Sequence, residues 1–540
     1  MTMPRAGLPA LLLLAALLPA LAGAARAQEA VAEPTIGLAA PPASFDPHYQ
    51  AHAPSFALQR HVFEPLLDWS PEGALLPSLA RDWAPLPDGS GWAFQLDPAA
   101  RFHDGSPVTA ADVAASLQRA RSLPNSPSPL TPFFRDIRAV EVVDERTLWL
   151  RTDGPVPLLP TNMTTLLVIP ARLAGATTAA FNDGSAALGS GAWRLAGFRP
   201  GEGAVFEAAP GWWQPAAHPS AAEHPAWPRL TLRAIPGDAA RVAALLAGDV
   251  ALIEAVPPRD AALLAARDDV ALARAPSPRL IYLALDQRAA VPDGLREADG
   301  TLPARNPLAD VRVRRALSLA IDRGLLVAQV MQGEASATGQ LLPDDSVSAD
   351  PGLPPPAPDR AAARRLLAEA GWPRGFRLTL AGPQDRFVND AETLQAVAQM
   401  WGQIGVATEV QAMPTAAWLP RFVQGRFAVS LSGWLGLSGE PQSYLTAMLA
   451  SRDRARGRGS FNPGGYANPA LDALIDRAVE TAASAPRQAL WREAVRLAVV
   501  QDAAILPLLH GVNLWAMRRG LAFPARRDGL TIGTALRPAP

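Results

Sequence analysis

The sequence predicts a mixed α/β protein with more than one domain. Its length of 540 residues exceeds the roughly 250–300 residues over which a single core usually extends. Helical and strand patterns alternate between 360 and 410, as is typical of an α/β unit. The stretch 189–235 is instead rich in strand and turn signals. We therefore expect two or three domains.

The first element is the pattern of a secretory signal peptide. Arg5 precedes an apolar run from Leu8 to Leu21, and Ala25-Arg26-Ala27 fits an A-x-A cleavage site. The apolar run is shorter than the about 20 residues that span a membrane. We expect residues 1–27 to be removed on export, leaving a soluble periplasmic protein without a membrane span.

The composition excludes several classes of protein. The chain has no cysteine, and so no disulfide, thiolate nucleophile or lipid-anchor cysteine. All 49 basic residues are arginine, and the lack of lysine excludes a Walker A ATPase and a Schiff-base enzyme. A net charge of −1 without a basic patch argues against a nucleic-acid partner. We expect a monomer without a cofactor or a metal.

A strand, a turn and a capped helix are predicted next. The residues from 92 to 96 alternate between apolar and small or polar side chains, as in a half-buried strand. Asp104-Gly105 marks a turn, and Thr109 can cap a helix. We interpret His103 and Asp104 as structural turn residues.

The elements downstream follow the same reasoning. In the helix near 310–323 we expect the arginines on the exposed face, because the apolar positions recur at helical spacing. The further predictions are a hairpin at 199–201, strands at 230–235, 282–286, 376–380 and 406–410, and helices at 239–246, 360–371 and 392–404.

Several motifs stand in the order found in one protein family. They are Phe63–Leu67, Arg101–Val113, Asp310–Arg323, Gly465–Asp472 and Asp502–Leu508. The chain thereby resembles the family 5 extracellular solute-binding proteins of ABC importers, which include periplasmic oligopeptide-, dipeptide- and nickel-binding proteins. The resemblance covers essentially the whole mature chain.

The resemblance implies a two-lobed periplasmic binding protein of type II, with a ligand cleft between the lobes and an extra inserted subdomain. It implies a receptor that catalyses nothing, closes on a small solute such as a peptide, and delivers it to a permease with ATPase subunits. The corresponding boundaries are 28–60, 189–278 and 507–540 for lobe I, 61–188 for the inserted subdomain, and 279–506 for lobe II.

One segment resembles the ligand loop of that family. In Gly433–Leu445 the position of the aspartate that typically pairs with a peptide's amino terminus is Leu437. Leucine cannot balance an ammonium, and burying that charge unpaired costs several kcal/mol. A peptide held by its amine is therefore not expected unless Glu440 or Asp46 supplies the carboxylate. The candidate ligand contacts are Gly433, Trp434, Leu435, Leu437, Glu440, Tyr444, Trp418, Asp46 and Tyr282, and Arg421 and Arg426 are candidates for binding an anion.

Three alternatives stay open. His48, His52 and His61 allow a metal- or haem-binding relative, and the ligand of this fold can also be an opine or a glutathione-like molecule. A hydrolase is disfavoured, because the stretch around Ser438 has Glu440 where a nucleophile elbow has glycine. A chemosensory receptor would use the same form of the protein, in which the two lobes have closed on the ligand.

Overall fold

The computed structural model describes residues 33–213 and 224–540. The predicted signal peptide at 1–27 lies outside them. The described strands are β1 Thr35–Leu38, β2 Leu67–Trp69, β3 Leu75–Pro77, β4 Ala80–Pro85, β5 Gly91–Leu96, β6 Ala139–Val142, β7 Thr147–Arg151, β8 Trp193–Arg199, β9 Gly203–Ala208, β10 Arg229–Ala234, β11 Leu252–Glu254, β12 Val270–Leu285, β13 Arg296–Glu297, β14 Ala335–Ala337, β15 Phe376–Pro383, β16 Val406–Met413, β17 Val429–Leu435, β18 Ile505–Arg518, β19 Leu521–Ala522 and β20 Arg537–Pro538.

The helices lie mostly between these strands. They are α1 Ala53–Gln59, α2 Ala110–Ser122, α3 Thr131–Phe134, α4 Leu159–Asn162, α5 Thr178–Asn182, α6 Asp238–Ala247, α7 Pro258–Ala265, α8 Val311–Leu319, α9 Arg323–Leu325, α10 Arg360–Glu369, α11 Asp390–Gly402, α12 Thr415–Val423, α13 Gln442–Tyr444, α14 Pro469–Glu480 and α15 Ser484–Val495. In the part of the chain described, no helix is long and apolar enough to cross a membrane.

A 12-stranded sheet connects two halves of the molecule through its two longest strands. Its order is β13-β15-β17-β12-β18-β11-β1-β10-β9-β8, with β14 on β18 and β16 on β15. The antiparallel strands β12 and β18 carry the chain between the halves: the first half holds the elements before β12 and after β18, and the second half holds those between these two strands. The register of β12 and β18 shifts between Pro276 and Leu280. A break in the ladder there makes this the natural place for a hinge.

The first half carries a separate four-stranded sheet, β4-β5-β7-β6, covered by α2. The predicted strand and helix are confirmed. Phe94 and Leu96 of β5 are fully buried, and α2 begins after Thr109, whose backbone N–H donates to Asp112 at 2.8 Å. The predicted turn is also confirmed, because Gly105 has a φ of +85° and the His103 ring meets the Gly191 carbonyl at 2.8 Å.

Two predictions from the sequence are wrong in detail. The strand predicted at 282–286 is present but begins earlier, at Val270. It passes through Pro276, which still pairs with Val512, and the register shifts only after that proline. The arginines of the 310–323 motif do not all face solvent, since Arg314 and Arg323 are buried. Their guanidinium groups donate to backbone carbonyls, such as that of Pro507 at 2.7 Å from Arg323 Nε. Carbonyl acceptors thus satisfy a cation without a carboxylate.

Candidate functional site

The segment that resembles a ligand loop leaves the main sheet at the end of β17. Gly433, Trp434 and Leu435 are the last residues of that strand, which pairs antiparallel with the connecting strand β12. The chain then runs through 436–441 into the short helix α13. The predicted ligand contacts in this segment are thereby placed beside the strand that joins the two halves.

Tyr444 fixes the start of this loop to β12. Its hydroxyl donates to the Pro278 carbonyl at 2.7 Å and accepts from the Gly436 N–H at 3.1 Å. A Cβ on Gly436 would lie 2.4 Å from the Tyr444 ring, so only glycine permits this approach. Burial raises the pKa of Tyr444, which therefore stays a neutral donor. Tyr444 is fully buried and supports the loop from below.

Glu440 fixes the other end of the loop. Its carboxylate accepts from Arg487 Nε at 2.9 Å and Nη2 at 2.8 Å, and from the Trp491 indole N–H at 2.9 Å. Both members of the ion pair are buried. The carboxylate is therefore occupied within the protein and is not free to meet an ammonium group.

Asp46 is likewise unavailable. It is fully buried, and its two carboxylate oxygens accept from Arg119 Nη1 at 2.6 Å and Nη2 at 2.7 Å. Burial alone would raise the pKa of Asp46, but the Arg119 hydrogen bonds and charge outweigh it and hold the pKa below its ordinary value. Neither carboxylate that could have replaced the missing aspartate is thus positioned to do so in this conformation.

The side chains accessible near the loop are largely apolar. Trp434 is half-buried, packs edge-on against Phe461 at a centroid distance of 5.3 Å, and donates to Ser443 Oγ at 3.2 Å. Leu435 and Leu437 are also half-buried. Val347, whose side chain reaches Gly439, is exposed. A solute lying here would meet an aromatic and aliphatic surface.

Two arginines that the sequence reasoning missed stand next to this surface. Arg279 pairs with Leu435 across β12 and β17, and paired residues share one face of a sheet. The Arg386 guanidinium lies 5.5 Å from the Phe387 ring centroid and 5.8 Å from that of Trp418. Within 33–213 and 224–540, neither guanidinium has a hydrogen bond or a carboxylate within 4 Å.

Burial lowers the pKa of both arginines, the Arg386 charge lowers that of Arg279 further, and the Asp385 charge partly offsets the effect of burial on Arg386. The carboxylates nearest to Arg386 in the sequence are occupied elsewhere. Asp385 accepts from the Thr415 N–H at 2.7 Å, and Asp390 accepts from the Arg386 and Phe387 backbone N–H groups. Unpaired guanidinium groups in a partly desolvated place can bind an anion. No local sequence pattern distinguishes such arginines, because a missing partner is visible only in three dimensions.

The two halves also influence each other electrostatically. Burial lowers the pKa of His52 in the first half, and the Arg386 charge of the second half lowers it further. Farther out, Arg135 Nη1 of the first half donates to the Arg456 carbonyl of the second half at 3.1 Å. The two halves are therefore in direct contact at Arg135 and Arg456.

The remaining predicted contacts lie below this surface. Trp418 is buried, stacks on Phe422 at 4.8 Å and donates to Ser430 Oγ at 2.9 Å. Tyr282 is buried in the same core, and burial raises its pKa to about 12. Of the two arginines proposed from the sequence, Arg421 is exposed with its guanidinium 4.7 Å from the Phe427 ring, and Arg426 is also exposed.

Two of the three candidate histidines, His48 and His61, are buried and bonded within the fold, whereas His52 is exposed. The His48 ring contacts the Leu167 carbonyl at 2.7 Å and Arg119 at 3.2 Å, and burial lowers its pKa to about 4. His61 accepts from the Gly533 N–H at 2.8 Å. Over the described ranges, no group of three His, Cys, Asp or Glu side chains is placed to hold a metal ion.

The comparison with protein families decides the identity of the fold. Residues 74–456 match the model of the bacterial extracellular solute-binding proteins, family 5. The chain belongs to this family. The resemblance seen in the sequence is therefore confirmed, and members of the family bind solutes and deliver them to ABC permeases.

Individual relatives of this family 5 protein agree. The glutathione-binding protein GsiB of Pectobacterium atrosepticum is 26% identical over 457 residues, covering 84% of this chain and 83% of the relative. Heme-binding protein A of Haemophilus influenzae is 25% identical over 500 residues, with 87% and 86% covered. Both alignments extend over most of this chain and most of the relative, and not over a single domain.

A solved structure shows the same fold. The periplasmic binding protein DppA of Helicobacter pylori, in complex with the peptide STSA, superposes with a TM-score of 0.76 at 18% identity. The match covers 93% of this chain and 97% of that one. The predicted two-lobed α/β architecture is confirmed, and the first and second halves of the family 5 protein are its two lobes. The lobe boundaries proposed from the sequence remain predictions.

Proposed function

We propose that this protein is the periplasmic receptor of an ABC importer for a small, partly apolar solute whose charged end is an anion. Arg386 carries this proposal, because its exposed side chain lies over Trp418 beside the loop, and among the described residues no carboxylate lies within ion-pair distance of it, while Leu437 replaces the family's amine-binding aspartate. The charge offered to a solute is thus positive where the family's peptide receptors offer a negative one.

The proposed contacts are the residues that remain accessible beside the loop. Gly433, Trp434, Leu435 and Leu437 would meet the apolar part of the solute, and Arg386 its anion. The buried predictions support them from below: Trp418 lies under Arg386, Tyr282 lies in the core, Tyr444 and Glu440 fix the loop, and Asp46 fixes the first lobe through Arg119.

Relatives of this chain allow both peptide and non-peptide solutes. Glutathione and haem, which give two of the relatives their names, both carry carboxylates and so fit a receptor with a cationic end. The fold does not decide between these classes, because solute-binding sites vary on a shared scaffold.

The remaining features of the proposal concern export and assembly. We propose that the protein is exported through the peptide at 1–27 and works as a monomer, as a binding protein rather than an enzyme. Ser438 is the candidate nucleophile that the sequence offered. Its hydroxyl donates to the Glu440 carbonyl at 3.2 Å and accepts from the Glu440 N–H at 3.3 Å. Hinge closure around the solute would present both lobes to the permease and its ATPase subunits.

A binding experiment tests the proposal. Solute extracted from the denatured protein is added back to refolded wild type, Arg386→Gln and the control Arg377→Gln, whose exposed guanidinium bonds only to the Ala298 carbonyl. Calorimetry should show affinity reduced about tenfold or more in Arg386→Gln alone, as expected for a lost charged hydrogen bond. Equal affinity of all three proteins would contradict the anionic end. The absence of any binding solute would contradict the receptor function.

A further inference from the structure

We propose that Arg279 is a second anion contact in the cleft, so that the solute presents a doubly charged oxyanionic group such as a phosphate or two neighbouring carboxylates. This inference rests on the proposed function and narrows its solute class. It depends on the position of Arg279, which lies in the connecting strand β12, whereas Arg386 lies between β15 and α11.

Arg279 is held in place by the loop and the hinge together. It lies in β12 inside the register break between Pro276 and Leu280. The preceding residue, Pro278, accepts the Tyr444 hydroxyl, and the cross-strand partner of Arg279 is Leu435 of the ligand loop. The backbone from which the guanidinium extends is therefore fixed on two sides.

The charge of Arg279 lacks compensation. The guanidinium is half-buried, and within 33–213 and 224–540 no carboxylate lies within ion-pair distance of it. The other buried arginines show what compensation looks like in this protein. Arg119 and Arg487 each meet a carboxylate, and Arg314 and Arg323 donate to several carbonyls.

Both arginines extend from backbone beside the end of β17: Arg279 pairs with Leu435, and the ring of Phe387, the neighbour of Arg386, lies 2.8 Å from where a Cβ on Gly433 would stand. Two like charges on one side of the loop repel each other, and an anion between them removes this repulsion. A single carboxylate carries one negative charge and leaves one of the two guanidinium charges unbalanced. A dianion balances both, because each oxygen pair can accept from one guanidinium fork. The pair therefore favours a doubly charged group over a singly charged one.

The test uses inorganic phosphate, which is mainly the dianion at pH 8, with acetate at equal ionic strength as the monoanion. Thermal unfolding of the full chain is followed against phosphate concentration in wild type, Arg279→Gln, Arg279→Lys and the control Arg377→Gln. General salting effects of phosphate act on all four proteins alike and are removed by the comparison.

We expect the apparent phosphate affinity of wild type and Arg377→Gln to exceed that of Arg279→Gln by about tenfold or more, with Arg279→Lys in between. Acetate should stabilise all four proteins equally. Without phosphate, Arg279→Gln should be at least as stable as wild type, since the variant relieves an unpaired charge.

Phosphate stabilisation that is equal in wild type and Arg279→Gln would overturn the inference. So would Arg279→Gln unfolding at a lower temperature than wild type in buffer without phosphate, because Arg279 would then have a structural role. Neither result changes the outcome expected when extracted solute is added back to Arg386→Gln. Failure of the second anion contact can therefore be separated from failure of the receptor function.

Discussion

The ion pair under the ligand loop predicts a large effect of a single substitution. Arg487→Met removes three hydrogen bonds from the buried Glu440 carboxylate and leaves it only the Trp491 N–H. Removing one partner of a buried ion pair typically costs about 3–5 kcal/mol, because the other charge stays desolvated. Arg487 also donates to the Thr481 and Ala482 carbonyls, so the true loss should lie toward the upper end of that range.

Urea unfolding measures this loss, with two comparisons. Arg267→Gln breaks an exposed pair with Asp269, whose side chains are 42% and 61% exposed, and should change the free energy of unfolding very little, because water screens the pair. Glu440→Gln combined with Arg487→Met removes the stranded charge but keeps an acceptor for Trp491. The double variant should therefore be more stable than Arg487→Met alone. A loss in Arg487→Met no larger than that of Arg267→Gln, or no recovery in the double variant, would mean that the Glu440 charge is not stranded by the loss of Arg487.

Three further predictions concern binding and pH. Trp434→Ala should weaken solute binding in calorimetry while the unfolding temperature stays within a few degrees of wild type; loss of the fold would place Trp434 in the core. Leu437→Asp should raise the affinity for free-amine peptides, and no gain would mean that the cleft has diverged beyond this residue. Burial lowers the pKa of His61 and His510 to about 4 in the folded protein. The unfolded chain then binds more protons as the pH falls from about 6.5 to 4, so stability should fall by on the order of 2 kcal/mol per histidine by pH 5. A flat stability profile between pH 7 and 5 would contradict this.

The sequence reveals local structure well, because caps, turns and periodicity act over a few residues. Thr109 with Asp112, and the helix end at Gly248 with a φ of +84°, are signals of this kind. The substitution at Leu437 is also visible, because a motif fixes its position.

The sequence does not reveal pairings that the fold alone creates. Glu440 and Arg487 are 47 positions apart in the chain, and Asp46 and Arg119 are 73 apart. As a result, two carboxylates that looked available for a solute are occupied. Arg279 was missed for the opposite reason, since what distinguishes it is the lack of a partner. Arg421, chosen from the sequence, instead lies exposed against Phe427.

The most direct test of the account is native mass spectrometry of the protein released gently from periplasm, before any ligand is added. If Arg386 binds an anionic solute, the wild-type protein should release a co-purified molecule that carries a net negative charge, and Arg386→Gln should lack it. A series of masses spaced by amino-acid residues and retained through a free amine would contradict this expectation, because Glu440 and Asp46, the two carboxylates that could have held that amine, are already paired with arginines.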